Sequence, residues 1–387
     1  MTPSAMKRAK LAVTLTFITN GLVVGSFVAR LPDIKAHLHI SNSTLGTLLL
    51  SSSIGVLLAL RPAGKLSAVH GSSPVAFWAT LGLVFSNVLL GPVFNATWFG
   101  ATLFLLGFTL AFQDVAMNSH AVTLEHKSEN RMMSTFHGMF SIGALVGGAL
   151  GGLFSQANLS FEIQSLFVGF LIAGIAIYAR PRWLPAQADK HEFHKENKAK
   201  KRPKLLWILG LFGFCSALSE GAAGDWGGIL ARETFHSSRF VSALPYVAFS
   251  TTMVIGRFLG DRLAHKFGAP IVLSVGGAVA SFGLAIGLVI GGSSGVILGW
   301  LFLGAGLSVA IPLLFSAAGT IAATKFAGHI APSQAVAIVS GISYFGFIIG
   351  PPLLGFLADA VQLRWALFMP VALVALLIFS YKFAKTD

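Results

Sequence analysis

The chain has 387 residues, of which 55% are hydrophobic and only 11% are charged. A soluble protein of this length needs far more charge to cover its surface, so the composition excludes a soluble globular domain and indicates a membrane protein. The formal net charge of +13 would suit a nucleic-acid partner only if the basic residues shared one surface.

Twelve apolar segments of about 18 to 25 residues follow one another along the chain. At about 1.5 Å per residue, each is long enough to cross a hydrocarbon core of about 30 Å, where only helices or closed barrels satisfy the backbone. We therefore predict an all-α integral membrane protein. Its transmembrane helices are predicted at residues 11–29, 45–62, 75–94, 98–123, 137–156, 163–180, 205–230, 241–259, 270–290, 294–318, 333–356 and 364–383.

The basic residues are distributed unequally between the two ends of these helices. If both termini are cytoplasmic, 22 of the 27 Lys and Arg residues fall on the cytoplasmic side and five on the other. Such a bias is typical of insertion with the positive loops inside. The basic charge therefore reports membrane topology, and we predict no nucleic-acid partner. The expected location is a bacterial inner membrane, where the multi-pass chain contacts lipid.

A polar stretch rich in Lys, Glu, His and Asn interrupts the apolar pattern near the middle. We interpret it as a flexible cytoplasmic linker at residues 181–204. It separates a six-helix N-terminal bundle, residues 1–180, from a six-helix C-terminal bundle, residues 205–387.

The two bundles repeat each other in sequence. Ala29-Arg30 at the end of helix 1 matches Ala231-Arg232 at the end of helix 7, and Arg61 matches Arg257 in the segments that close helices 2 and 8. A parallel repeat of two six-helix halves is typical of secondary transporters, with the solute site near the middle of the membrane.

Ionisable residues in membrane helices are costly and mark functional sites. Three acids lie inside predicted helices, and we predict that Asp114, Glu220 and Asp225 couple transport to protons. The amides nearby are candidate solute ligands, although a buried Asn can equally bridge two helices. These candidates are Asn20, Gln113 and Asn118, with Trp226 as an aromatic face.

Glycines surround the two acids of helix 7, which contains the sequence SEGAAGDWGG. Since each Gly weakens a helix by about 1 kcal/mol relative to Ala, we expect a bent or partly unwound segment that exposes carbonyls to the solute. The structural alternative is an ion-pair latch of Glu220 or Asp225 with Arg30 or Arg232. Of the two acids, we expect Asp225 to form the latch, with Arg232.

The loops after helices 2 and 8 resemble the signature loop of the major facilitator superfamily. Gly64, Leu66 and Gly71 keep the frame in the first half, and GRFLGDRLAHKFG keeps more of it in the second. We assign Arg61, Arg257 and Asp261 to gating ion pairs. The stretches ARLPDIKAHLHIS, DVAMNSHAV and SEGAAGDWGGILAR also resemble bacterial permeases related to fucose permease. The resemblance implies a twelve-helix fold whose helices 1, 4, 7 and 10 line a central cavity.

The sequence thus predicts a monomeric, proton-coupled secondary transporter of a small polar, sugar-like solute, working by alternating access. Proton-coupled efflux of a small amphipathic compound is the alternative, and a channel or a receptor without flux is a third class. The sequence contains no metal-ligand cluster, phosphate-binding loop or nucleophile motif, so we expect no enzyme activity, cofactor or metal.

Overall fold

The computed structural model describes residues 3–128, 132–189, 203–326, 330 and 332–384, with all side chains except those of Pro3, Ser134, Asp261, Pro332 and Ser333. Most of these residues are α-helical, and no β-strand occurs among them. The predicted all-α fold is confirmed.

The chain forms two compact units. The first comprises Met1–Ile40 and Thr47–Lys195. Its helices are α1 (Pro3–Val28), α2 (Leu31–Leu38), α3 (Asn42–His70), α4 (Ser72–Leu90), α5 (Ala96–Ser128), α6 (Met133–Gln156) and α7 (Phe161–Ala179).

The second unit comprises Ser41–Gly46 and Glu196–Asp387, so it includes the first turn of α3. Its helices are α8 (Lys204–Ile229), α9 (Arg239–Phe267), α10 (Ala269–Ile290), α11 (Gly292–Leu307), α12 (Ala310–Thr324), α13 (Pro332–Val361), α14 (Leu363–Ala366) and α15 (Phe368–Ala375). A 3₁₀ turn, Leu376–Lys382, continues α15.

Eleven helical segments among the described residues are long and apolar enough to cross a membrane. In two of them separate α-helices combine: α11 and α12 form one span, and α14, α15 and the following 3₁₀ turn form another. The remaining predicted span, residues 241–259, corresponds to α9. This helix has 29 residues but is more polar than the eleven segments. Most helices extend past the predicted ends, since the helix continues into more polar residues beyond the apolar segment.

Helix 7 departs from the sequence prediction. The segment with the clustered glycines is not unwound: α8 is helical from Lys204 to Ile229 and ends in a π-helical turn, Leu230–Thr234. Some of its glycines serve close packing instead. A side chain at Gly213 would collide with Ser343 of α13, and one at Gly227 would collide with the indole of Trp300. Backbone flexibility was therefore the wrong interpretation of this glycine cluster.

The interruption lies in helix 10. The regular α-helix is interrupted at Ser308 and Val309, between α11 and α12; Ser308 keeps helical dihedral angles, and Val309 departs from them with φ −115° and ψ −1°. Pro312 follows within the next turn. It has no N–H to donate to the carbonyl of Ser308, four residues earlier. The missing hydrogen bond at Pro312 favours an interruption of the helix at Ser308 and Val309.

The first residues of the predicted linker are docked rather than flexible. Leu184 is buried in an apolar cluster with residues of α1, α5 and α6. Its N–H donates to Nε2 of His120, at 3.3 Å. Asp189 accepts a hydrogen bond from the backbone N–H of Ser72 at 3.1 Å and one from the Ser72 hydroxyl. Residues 190–202 of the linker lie outside the described part of the chain.

Candidate functional site

A neutral polar network occupies the core of the first unit. Asn20 of α1 donates from Nδ2 to Oε1 of Gln113 on α5, at 2.9 Å. Nε2 of Gln113 donates to the hydroxyls of Thr80, at 2.8 Å, and Thr19, at 3.3 Å. Gln113 is fully buried, so a solute cannot reach this predicted ligand in this conformation. Its geometry suits the bridging role that buried amides also have, since it holds α1, α4 and α5 together.

Asp114 and Asn118 lie one turn apart on α5, as the sequence predicts. Nδ2 of Asn118 donates to Oδ1 of Asp114 at 3.0 Å and to its backbone oxygen at 2.8 Å. In contrast to Gln113, Asp114 is exposed on its own unit. A carboxylate that remains accessible within a membrane-length helix is able to exchange a proton or contact a polar solute.

Arg30 is committed to interactions inside the first unit. Its Nε lies 2.9 Å from Oδ2 of Asp33, and its two terminal nitrogens donate to Gln164 at 3.1 Å and to the carbonyl of Leu159 at 2.9 Å. The side chain is buried. Arg30 thus joins the end of α1 to α2 and α7, and its ion pair with an acid of helix 7 stays a prediction.

The second unit contains an ion pair between two membrane helices. Oε1 of Glu220 on α8 lies 3.6 Å from a terminal nitrogen of Arg257 on α9, and about a fifth of each side chain is exposed. The sequence-based alternative pairs Glu220 with Arg30 or Arg232, whereas the structure shows Arg257, itself predicted as an ion-pair residue, as a partner of Glu220. A pair that is shielded from water but still reachable can bind a proton or a solute oxygen without prior unfolding.

Tyr246 extends this charged site along α9. Its side chain is buried within the second unit. Tyr246, Ser250 and Arg257 follow one another at intervals of four and seven residues, so they share one face of the helix. Sequence analysis missed Tyr246, although this spacing was visible as a polar stripe.

Asp225 and Trp226 differ from their predicted roles. Asp225 is partly buried, and no hydrogen bond or ion pair reaches it from the residues that the structure describes. Arg232, its expected partner, lies in the π-helical turn that follows α8. Trp226 is fully buried, and its Nε1 has no hydrogen-bond partner among the described residues. Its ring is therefore not available to a solute in this conformation.

The break in helix 10 packs next to the ion pair. Side chains at Gly256 and Gly260 of α9 would collide with Ser308 and Val309, respectively. Arg257 lies between these two glycines in sequence, so it is at the level of the break. Discontinuous helices in transporters supply free backbone groups to solutes and ions, and this interrupted span packs against α9, the helix of Arg257.

The remaining gating candidates are less informative. Arg61, the repeat equivalent of Arg257, is exposed on the first unit. The side chain of Asp261 lies outside the described part of the structure. No group of three or more His, Cys, Asp or Glu side chains that could hold a metal occurs among the described residues.

Comparisons with known proteins identify the family. The model of the Major Facilitator Superfamily matches residues 13–331. The chain belongs to this superfamily. Among curated proteins, it is similar to the membrane protein MosC of Rhizobium meliloti, with 29% identity over 93% of this chain and 86% of that protein. It is equally similar, at 29% identity, to an uncharacterized MFS-type transporter of Yersinia pestis, over 95% of this chain and 93% of that protein.

Solved structures agree on the fold. A bacterial homologue of the human lysosomal transporter Spinster superposes with a TM-score of 0.77 at 14% identity, covering 100% of this chain and 98% of that one. The superfamily transporter FucP, in its outward conformation, superposes with a TM-score of 0.65 at 19% identity, covering 99% of both chains. The predicted superfamily and its twelve-helix fold are confirmed, and the protein is a multi-pass membrane transporter.

Membership of the superfamily leaves the site residues to be assigned from the chain itself. The described side chains provide an accessible acid with an amide partner on α5 and an ion pair beside a broken helix in the second unit. They also show that two residues predicted to bind solute, Gln113 and Trp226, are fully buried.

Proposed function

We propose that this transporter is a proton-coupled secondary carrier that moves a small polar, sugar-like solute across the bacterial inner membrane by alternating access. The observation that carries the proposal is the ion pair of Glu220 with Arg257, together with Tyr246 on the same face of α9 as Arg257. It combines an acid that can be protonated, a cation and a hydroxyl within membrane-length helices. A site of this kind has the groups needed to exchange a proton for a hydrogen-bonding solute.

Proton binding and solute binding are linked through the shared guanidinium. When Glu220 accepts a proton, it loses the charge that attracts Arg257, whose N–H groups then become better donors to a solute oxygen. When the proton leaves, the carboxylate competes again for Arg257. The conformation that binds the solute is therefore favoured by protonation, which is the thermodynamic requirement for coupling.

Two structural neighbours support the class of solute without deciding it. FucP is described as a fucose:proton symporter and NupG as a nucleoside transporter. Both solutes are small and rich in hydroxyls. NupG superposes with a TM-score of 0.74 at 12% identity, so the likeness to this chain is one of fold. The polar groups at Glu220, Arg257 and Tyr246 suit a solute of the same chemical type.

The test is uptake of a labelled panel of sugars, sugar acids, nucleosides and amphipathic compounds into proteoliposomes. A pH gradient is imposed in both orientations, and protein-free liposomes are the control. We expect a hydroxyl-rich solute to accumulate when the lumen is alkaline, and a protonophore to abolish the accumulation. Accumulation of an amphipathic compound when the lumen is acidic would replace this proposal by the efflux alternative.

We further propose that both termini and the linker at residues 181–204 are cytoplasmic and that the transporter is a monomer. A cysteine introduced at Lys198 should be shielded from an impermeant thiol reagent added outside intact cells, and labelled after permeabilisation. The native thiol, Cys215, is buried and gives a low background. Labelling of intact cells would contradict the orientation, and light scattering of the detergent-solubilised protein tests the monomer.

A further inference from the structure

Helix α11 contributes no charge to the site, yet it contacts both helices of the ion pair. Trp300 of α11 is buried, and its Nε1–H donates to the carbonyl of Ala223 on α8 at 2.8 Å. The next residue, Leu301, has its carbonyl 2.9 Å from the hydroxyl of Thr252 on α9. Two consecutive residues of α11 therefore contact α8 and α9.

We propose that Trp300 is a positioning residue for transport, which sets the rotation of α8 and thereby aims Glu220 at Arg257. This inference rests on the proposed function, because it assigns the positioning of the same proton site. The indole lies over the turn from Ala223 to Gly227, and only a residue without a side chain fits at Gly227.

Helical geometry explains how this contact selects one acid. With 100° per residue, Ala223 and Gly227 point in nearly the same direction, and Glu220 lies about 40° from it. Asp225 lies about 180° away, on the opposite side of α8. This arrangement agrees with the contacts, since Glu220 has an ion-pair partner on α9 and no such partner is found for Asp225 among the described residues.

The contact of α11 with α9 means that α11 holds α8 and α9 together. A side chain at Gly304 of α11 would collide with the backbone of Phe249 and with Thr252, so α9 and α11 approach closely. The Thr252 hydroxyl also lies within reach of the carbonyls of Phe249 and Ala248, at 3.0 and 3.2 Å, and Leu301 is the nearest acceptor. The N–H of the Trp300 indole, by contrast, has a single acceptor, the carbonyl of Ala223, and points in one fixed direction. We therefore assign the positioning role to Trp300.

The experiment compares Trp300→Phe with Trp207→Phe in proteoliposomes, using a solute that wild type accumulates in a pH gradient. Trp207 is a half-exposed tryptophan of α8 and serves as the matched control. Loss of one buried hydrogen bond corresponds to about a 2- to 10-fold effect. We expect Trp300→Phe to raise the KM of solute exchange by that factor and to shift its pH profile, with little change in the maximal rate.

To distinguish positioning of Glu220 from a purely structural role of Trp300, the pH profile of Trp300→Phe is also measured in the Glu220→Gln variant. In that variant no proton can bind at residue 220. If Trp300 acts by aiming Glu220, Trp300→Phe should leave the pH profile unchanged in that background. Equal shifts in both backgrounds would overturn the inference. So would an unchanged KM and pH profile in Trp300→Phe alone.

Two further outcomes are distinguishable. If Trp300→Phe does not reach the membrane, Gly227→Ala displaces the indole from the α8 side and is judged by the same criteria. If wild type itself shows no proton-dependent accumulation of any solute, the proposed function fails. A coupled wild type with an unaffected Trp300→Phe or Gly227→Ala protein removes only the positioning role.

Discussion

The two halves of this transporter place different chemistry at equivalent positions of the repeat. Arg61 in the first half is exposed, whereas Arg257 in the second is partly buried and paired with Glu220. At the offset of 202 residues set by Arg30 and Arg232, Glu220 corresponds to Ile18. The first half therefore lacks the acid that would make its arginine part of a charged pair.

Two buried polar clusters in the first half are built from hydrogen bonds between helices and not from an ion pair of the Glu220–Arg257 kind. The Gln113 network shows this, and so does His120: Leu184 N–H donates to Nε2, which leaves Nδ1–H to donate to Ser72, whose hydroxyl donates to Asp189. Each of the three donors in this series of hydrogen bonds has an acceptor. The comparison indicates that the first half contributes hydrogen-bonded clusters and an exposed acid in α5, Asp114, while the second half contains the ion pair to which we assign proton coupling in our proposal.

The largest effect is expected for Glu220→Gln, which keeps the size and hydrogen bonding of the side chain but removes titration. Proton-driven accumulation should disappear, while exchange of labelled solute continues because binding and alternating access do not require proton release. Counterflow and gradient-driven uptake are measured side by side, with Lys266→Gln on the exposed end of α9 as the control. A Glu220→Gln protein that accumulates solute like wild type would exclude this residue from coupling.

Asp114→Asn tests whether the first half is only structural. The substitution preserves a partner for Asn118, which donates to residue 114 at 3.0 Å, so folding should be retained. We expect accumulation to be lost or greatly reduced, with exchange persisting. Equal loss of exchange and accumulation would assign Asp114 to solute binding instead, and wild-type accumulation would confine coupling to the second half.

Gln113→Leu should have a smaller and different effect, since it removes a buried bridge. Three hydrogen bonds are lost, and Asn20 Nδ2 is left without its acceptor, so the free energy of unfolding should fall by about 2 kcal/mol. Thermal unfolding in detergent measures this. The pH dependence of the remaining transport should match that of wild type; a shifted pH profile would show that the network takes part in coupling.

Much of this architecture was predictable from the sequence, because the lengths of the apolar segments and the positions of the basic residues can be read directly from it. The twelve helices follow from those signals, and the superfamily follows from the resemblance of the loops after helices 2 and 8. Contacts between helices do not. Glu220 and Arg257 are 37 residues apart, and only the packing of α8 against α9 brings them together. The glycines of helix 7 illustrate the limit: they signal either unwinding or close packing, and the decisive neighbour, Trp300, lies on another helix.

The smallest effect is expected for Asp225→Asn. Sequence analysis favours an ion pair of Asp225 with Arg232, and in that case the substitution would leave the arginine without its counter-charge and lower the melting temperature. The structure shows no hydrogen bond or ion pair from Asp225 to any described residue. Removing its charge should therefore change the free energy of unfolding by less than about 1 kcal/mol.

A double-mutant cycle makes this last prediction quantitative. Asp225→Asn, Arg232→Gln and the double variant are compared by thermal unfolding, and residues that do not interact should give additive effects within about 0.5 kcal/mol. A larger coupling energy would show that the latch forms in solution. Additive effects, together with gradient-driven accumulation that falls less than in Glu220→Gln, would place Asp225 in a minor coupling role and leave Glu220 as the principal proton site of the second half.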